Sequence, residues 1–370
     1  MRTVRRLLYR DIITAVIFVA VAFLSLFFFI GFIEELDRAN KRGGGAMLAS
    51  LLALLEMPSH FYEIFPIAVL IGSIFSLARM AQSSEFTILR TGGLGPGRAL
   101  GLLAVLAALF GTLTFVVGDY VAPWAEKKAE MLKRDPKEAA ASGTPGVWLK
   151  DRQSGPEGER SFSINVKSAA VSGELGGVRL FEFDSQGRLL SRTQAQRAQV
   201  DKDGLWRLYD VERSQWTTAE PGQRARVWES HLDEWEWHGG LSANVVSAAV
   251  LPPWSMSTLE LYRYTRHLSA QAQSAQQYDI QFWRKALYPL ACFVMVALAL
   301  PFAYLHGRSG GISLKVFGGI MGGISFVLLN NLAGHLGLLK QWSPWAVASA
   351  PSLLYLCISL AAFGWLVRYR

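Results

Sequence analysis

The sequence predicts a membrane α-helical fold of six transmembrane helices with an inserted all-β, jelly-roll-like domain. Three observations predict it. Six apolar segments are each long enough to cross a bilayer, at about 12–35, 58–80, 98–122, 279–304, 312–334 and 345–367. The 154 residues between the third and fourth (124–277) are polar and alternate in the manner of strands. Charge is also partitioned. The chain is 51% hydrophobic and 18% charged with a net charge of +8, yet 124–277 holds 20 basic and 20 acidic residues. The remaining 17 basic and 9 acidic residues flank the apolar stretches, where a basic excess signals lipid headgroups and topology rather than nucleic acid.

The first apolar run, 12–33, is about 22 residues, enough for a hydrocarbon core of roughly 30 Å and longer than the apolar part of a signal peptide. No cleavable signal peptide is therefore expected. Residues 46–56 are apolar with helical spacing and are followed by Pro58; they read as a kinked extension of the second span, or as a surface helix. Orientation follows from basic residues: Arg2, Arg5, Arg6 and Arg10 before the first span, and Arg79, Arg90 and Arg98 around the loop after the second. His306, Arg308 and Lys315 stand between the fourth and fifth spans, and Arg368 and Arg370 follow the sixth. These place both termini in the cytoplasm and the β insert in the periplasm.

Within the insert, "SFSINV", "GVRLFEFD", "GRLLSRTQAQRAQV", "LWRLYDVERSQW" and "RVWESHLDEWEW" alternate or nearly alternate apolar and polar residues. "DSQG" (184–187) and "DKDG" (201–204) are hairpin turn signals between them. Short strands at this spacing predict a β-sandwich or jelly roll, and a helix over 258–277 leads back to the membrane.

No catalytic set is legible. There is no G-x-x-x-x-G-K-[ST] phosphate loop and no H-E-x-x-H, and "GGLGPG" (92–97) follows no strand. His231 and His238 lie in Trp-rich strand sequence and read as solvent-facing. The only cysteines, Cys292 and Cys357, both fall in apolar runs, which argues against a disulfide framework or a structural zinc. The expectation is a non-enzymatic chain with no cofactor and no metal. Asp119, Glu56 and Glu63 stand near the outer ends of spans, where they either reach the interface or line a proton path; no acidic chain crosses the midplane. Arg38, Lys41 and Arg42 after the first span, and Lys127, Lys128, Lys133 and Arg134 after the third, stand on the side where few basic residues belong. They form either a solvated rim paired with Glu34, Glu35, Asp37, Glu126 and Glu130, or a ring that attracts phosphates.

The stretch "AQSSEFTILRTGG" (81–93) predicts a short cytoplasmic helix ended by Gly92 and Gly93. Ser83 or Ser84 would cap it, and Glu85 in its first turn suits the positive end of its dipole. Such a helix either lies among headgroups or docks in a groove of a separate motor, with Phe86 and Leu89 as apolar anchors. The pattern alone leaves both open.

The sequence resembles the lipopolysaccharide export permeases, the LptF/LptG family, over essentially its full length. The resemblance is carried by "FPIAVLIGSIFSLARMAQSSEFTILRTGG" (65–93), a span running into A-Q-x-S-E and a short helix, and by "GDYVAPWAE" (118–126). "GVWLKD" (146–151), "ELGGVRLFEFD" (174–184) and "YDIQFWRKALYPL" (278–290) look more like the G-type than the F-type branch. The resemblance implies an ABC exporter: a permease pair of one F-type and one G-type subunit, a cytoplasmic ATPase dimer, and a single-span membrane protein with a periplasmic β domain. Its cargo would be lipopolysaccharide, passed from the inner membrane to a periplasmic bridge protein. It further implies ATPase coupling through Ser84, Glu85, Phe86, Leu89 and Arg90, and lipid binding by Arg38, Lys41, Arg42, Lys133 and Arg134. Lys133 stands where some G-type subunits carry a basic residue; Glu130 and Gly31 depart from such positions, for which Arg38, Lys41 or Arg42 would substitute. The Phe-rich "FLSLFFFIGF" (23–32), with Phe27 and Phe28, would line an apolar cavity, and "GGIMGGISF" (318–326) would permit close helix contact. The alternative reading is a membrane-anchored periplasmic scaffold without transport.

Overall fold

The computed structural model of the chain describes residues 2–41, 43–93, 95–133, 146–155, 158–169, 174–201, 204–216, 226–241, 246, 253–270, 275–304 and 311–369. Arg42, Arg134, His306, Arg308 and Arg370 lie outside the described residues, as do Lys202 and Asp203 of the second turn and the side chains of Arg2 and Arg90. The chain divides into two compact units, Met1–Ala129 with Asp279–Arg370, and Glu130–Tyr278.

The first unit is helical: α1 (Arg2–Lys41), α2 (Gly45–Gln82), the short α3 (Glu85–Thr91) and α4 (Pro96–Val116). A π turn (Val117–Val121) joins α4 to α5 (Ala122–Lys133). After the β insert come α7 (Gln276–Tyr304), α8 (Ile312–Lys340) and α9 (Pro344–Tyr369), while α6 (Thr258–Ala270) belongs to the second unit. Among the described residues, six helices are long and apolar enough to cross a membrane, α4 doing so together with the π turn and α5. Residues 46–56 and the second span form one helix, with Pro58 and Pro66 inside it.

In hydrocarbon there is no hydrophobic drive between helices, so close packing must hold them. α2 is the most enclosed span and the hub. Leu8, Ile12, Val16 and Ala20, four residues apart, form a buried ridge on α1. It meets α2 at Gly72, where a Cβ would stand 2.6 Å from the Val16 backbone nitrogen. The small residues of the fifth span pack inward too: a Cβ on Gly319 or Gly323 would stand 2.5 Å from Ile74 or 3.1 Å from Ile67 of α2. Polar ties fix register at the ends, Tyr9 Oη donating to the Leu102 carbonyl at 2.8 Å and Arg79 pairing with Asp11 at 2.8 Å.

The second unit is one antiparallel sheet in simple sequence order: β1 (Val147–Gly155), β2 (Gly158–Ala169), β3 (Glu174–Phe183), β4 (Leu189–Val200), β5 (Leu205–Trp216) and β6 (Val227–His238). Both expected turns form. Asp184 Oδ1 accepts from the Gln186 and Arg188 amides at 2.9 and 2.8 Å, and with the Arg188 guanidinium these bonds hold its carboxyl below the usual 3.8. The Gly204 amide closes the second turn on the Asp201 carbonyl. The jelly-roll-like insert is thus a rolled six-stranded sheet. Asp151 of β1 accepts from the Gly240 amide at 2.7 Å just past β6, and the Phe162 ring of β2 packs at a tilt on Trp237 of β6, centroids 5.1 Å apart. Among the described residues the roll is not closed by a β1–β6 ladder. Trp206 fills its centre, its Nε1 donating to the Leu241 carbonyl.

The buried positions slip by one residue partway along three strands, from Leu175 to Val178, Ala195 to Ala198 and Leu208 to Val211. The slips share one cross-strand row, where Gly177 and Asp210 both have positive φ, +64° and +56°. This crease explains why the sequence alternates only nearly. Beyond the sheet, Ser257 and Glu260 form a reciprocal capping box for α6 (Thr258–Ala270).

Candidate functional site

Three groups of residues are the candidates: α3, the ends of α1 and α5, and a polar cluster around the π turn. At α3, Ser83 does not cap the new helix. Its Oγ donates back to the Arg79 and Met80 carbonyls, finishing α2. Ser84 turns the chain with φ +60°, and its carbonyl accepts the Ile88 amide at 3.0 Å. Gly92 and Gly93 end the helix, Gly93 at φ +99°.

The pairing of Phe86 with Leu89 as outward anchors is corrected by the structure. Phe86 is only 2% exposed and packs edge-on against Tyr304 of α7 at 5.2 Å, and Leu89 is half-buried against the same core. The outward face is Glu85, Thr87 and Ile88, the last 66% exposed. Three apolar residues in one turn cannot share one face, a signal the sequence carried.

At the end of α1, Arg38 pairs with the buried Glu35 at 2.9 Å, so its charge is already matched, while Lys41 is exposed. Lys128 sits over the Trp124 ring at 4.5 Å, and Lys133 is half-buried. Phe27 and Phe28 are half-buried rather than open; Phe27 stacks on His60 of α2 at 4.9 Å, and Phe18 and Phe29 are the more exposed rings.

Of the third group, the sequence had marked the acids Glu56, Glu63, Asp119 and Glu126, but not the tyrosines and basic residues beside them. Gly118, in the π turn, is pressed against the Tyr62 ring, where a Cβ would clash. Tyr62 packs on Tyr288 of α7 at 4.3 Å, and Tyr288 Oη donates to the Glu63 carbonyl at 2.8 Å. Ser59 donates to Glu126 at 2.5 Å, and Glu126 has Lys285, Glu56 and His60 as electrostatic neighbours. Arg284 donates to the Asn330 carbonyl at 2.7 Å and to Asn331 Oδ1 at 3.1 Å, tying α7 to α8. Adjacent Arg284 and Lys285 inside a span were the available signal, since intramembrane charge is costly and tends to mark function. Among the described residues, no group of three or more His, Cys, Asp or Glu stands close enough to hold a metal ion.

Residues 6–366 match the family model described as lipopolysaccharide export system permease LptF/LptG. The chain is similar to the lipopolysaccharide export system permease protein LptG of Escherichia coli (strain K12), 27% identical over 359 residues, with 96% of each chain covered. It is also similar to that of Haemophilus influenzae (strain ATCC 51907 / DSM 11121 / KW20 / Rd), 26% identical over 362 residues and again 96% of each.

Proposed function

The chain belongs to the lipopolysaccharide export system permease LptF/LptG family, and from that premise we propose how its parts serve export. It is a permease subunit for lipopolysaccharide. Its place is the inner membrane, with both termini in the cytoplasm and the β unit in the periplasm. An F-type permease subunit, a cytoplasmic ATPase dimer, a single-span protein with its own β domain and a periplasmic bridge protein complete the exporter.

Energetics supports a motor outside this chain. Lifting an acyl chain out of the bilayer costs about 0.8 kcal/mol for every CH₂ exposed to water, and the sequence holds no phosphate loop. The observation that carries the reading is the two-sidedness of α3. Phe86 fastens it to the core of the membrane helices, while Glu85, Thr87 and Ile88 face outward. A push on the outer face is therefore delivered to α7 through Tyr304. Ser84 and Arg90 complete the coupling segment. For the lipid, the cationic contacts are assigned to Lys41, Arg42, Lys133 and Arg134, with Arg38 restrained by Glu35; Phe27 and Phe28 contribute apolar wall, and Lys285 joins the set.

Purification of the tagged chain from mild detergent tests the motor claim. A cytoplasmic ATPase is expected in stoichiometric amount, and replacing Glu85 with Lys should deplete it. A membrane-anchored scaffold would bring down periplasmic β proteins and no ATPase.

A further inference from the structure

The inner face of the rolled sheet changes character along its length. Around Trp206, Leu208, Val178 and Ile164 it is apolar and closed to solvent. Towards one end a single cross-strand row reads Glu182, Ser191, Gln215 and Trp228 in register across β3 to β6. With Arg160 and Arg213 this row lines a cavity of about 520 Å³, within the range of small-molecule sites, roughly 300–1,000 Å³.

A carboxylate and two guanidinium groups are costly on the inner face of a β roll unless they are matched. Glu182 is matched: it is 7% exposed, with Oε1 taken by Arg160 at 2.5 Å and Oε2 by Ser191 Oγ at 2.7 Å. Arg213 is not. Its guanidinium lies over the Trp235 ring at 4.7 Å, and its Nε is buried with no hydrogen-bond partner. No carboxylate among the described residues pairs with it. Its cross-strand neighbour Thr193 is fully buried, and Thr193 Oγ1 also has no partner. Among the described residues, the cavity thus holds one positive charge without a carboxylate partner, and unfilled hydrogen-bonding capacity. Trp228, on the same inner row, is 60% exposed.

An indole face, mixed donors and acceptors, and one excess guanidinium match the three faces of an acidic sugar. Its C–H face packs on an indole, its hydroxyls bond to amide and hydroxyl groups, and its anionic group pairs with the fork of an arginine. We infer that this end of the β unit binds an acidic saccharide, a sugar ring bearing a phosphate or a carboxylate. The inference deepens the export reading by naming the saccharide part of the cargo as what the β unit holds.

Calorimetric titration of the full-length chain in detergent tests it with three soluble probes: a phosphorylated disaccharide, the same disaccharide without phosphate, and inorganic phosphate. Saturable binding of the phosphorylated disaccharide is expected, with the two controls at least tenfold weaker. Arg213→Gln and Trp228→Ala should each raise its Kd about tenfold or more; Trp228 is exposed enough that its removal leaves the fold intact. Equal binding of the neutral sugar, equal binding of inorganic phosphate, or an unchanged Kd in both variants would overturn the inference. The titration needs neither ATPase nor lipid movement, so its failure and a failure of export are read separately.

Discussion

Replacing Phe86 with alanine would remove a nearly fully buried ring set edge-on to Tyr304; large-to-small changes at such sites cost about 3–5 kcal/mol. The loss falls on the joint between α3 and its own unit, while the outward face of Glu85, Thr87 and Ile88 is untouched. Phe86→Ala should therefore still bind the ATPase but waste hydrolysis. In reconstituted vesicles, lipid released per ATP should fall about tenfold, with Phe86→Leu intermediate. Loss of ATPase binding with normal coupling in the residual complex would instead make Phe86 a docking residue. The sequence located this helix and its glutamate but gave its apolar residues the wrong direction. Only the position of Tyr304, more than two hundred residues away in the chain, decides which face of a 7-residue helix is buried.

At the scale of elements, the spans were legible because length and apolarity are local properties. Their ends were less so: α1 begins well before its apolar run, because the polar first turns carry Leu8 on the ridge that meets α2. The hairpin turns were legible from Asp and Gly spacing, and the sheet order was not. Nor was the crease, since a one-residue slip shared by three strands weakens the period-2 pattern on which strand reading rests. The π turn left no sequence trace either; it holds Gly118 against the Tyr62 ring. That contact makes a prediction. Gly118→Ala should collide with the Tyr62 ring and lower the melting temperature of the purified chain by several degrees. Tyr62→Ala should relieve most of the added penalty, a coupling of about 1–3 kcal/mol in a double-mutant cycle. Additive effects would show that the two residues do not bear on each other.

The molecule as a whole is a helical unit and a β unit on one chain. Within the helical unit α2 is enclosed, but α1, α8 and α9 bury little of their apolar surface. Lipid or the F-type subunit of the proposed exporter would cover those faces. In the proposed reading, energy would enter at one short helix and leave as movement of spans that hold a lipid. Both the family and the position of that helix were legible from the run 65–93. The cluster of Glu126, Lys285 and Tyr62 was not, because it is assembled from three separate helices. The most direct test is ATP-dependent transfer of lipopolysaccharide from vesicles to a soluble acceptor by the reconstituted complex, comparing wild type, Glu85→Ala and Glu85→Lys. The account predicts a partial loss with Ala, near-complete loss with Lys, and partial recovery of Lys when the facing charge of the ATPase groove is reversed. Normal ATP hydrolysis and normal lipid transfer by the Glu85→Lys complex would contradict it.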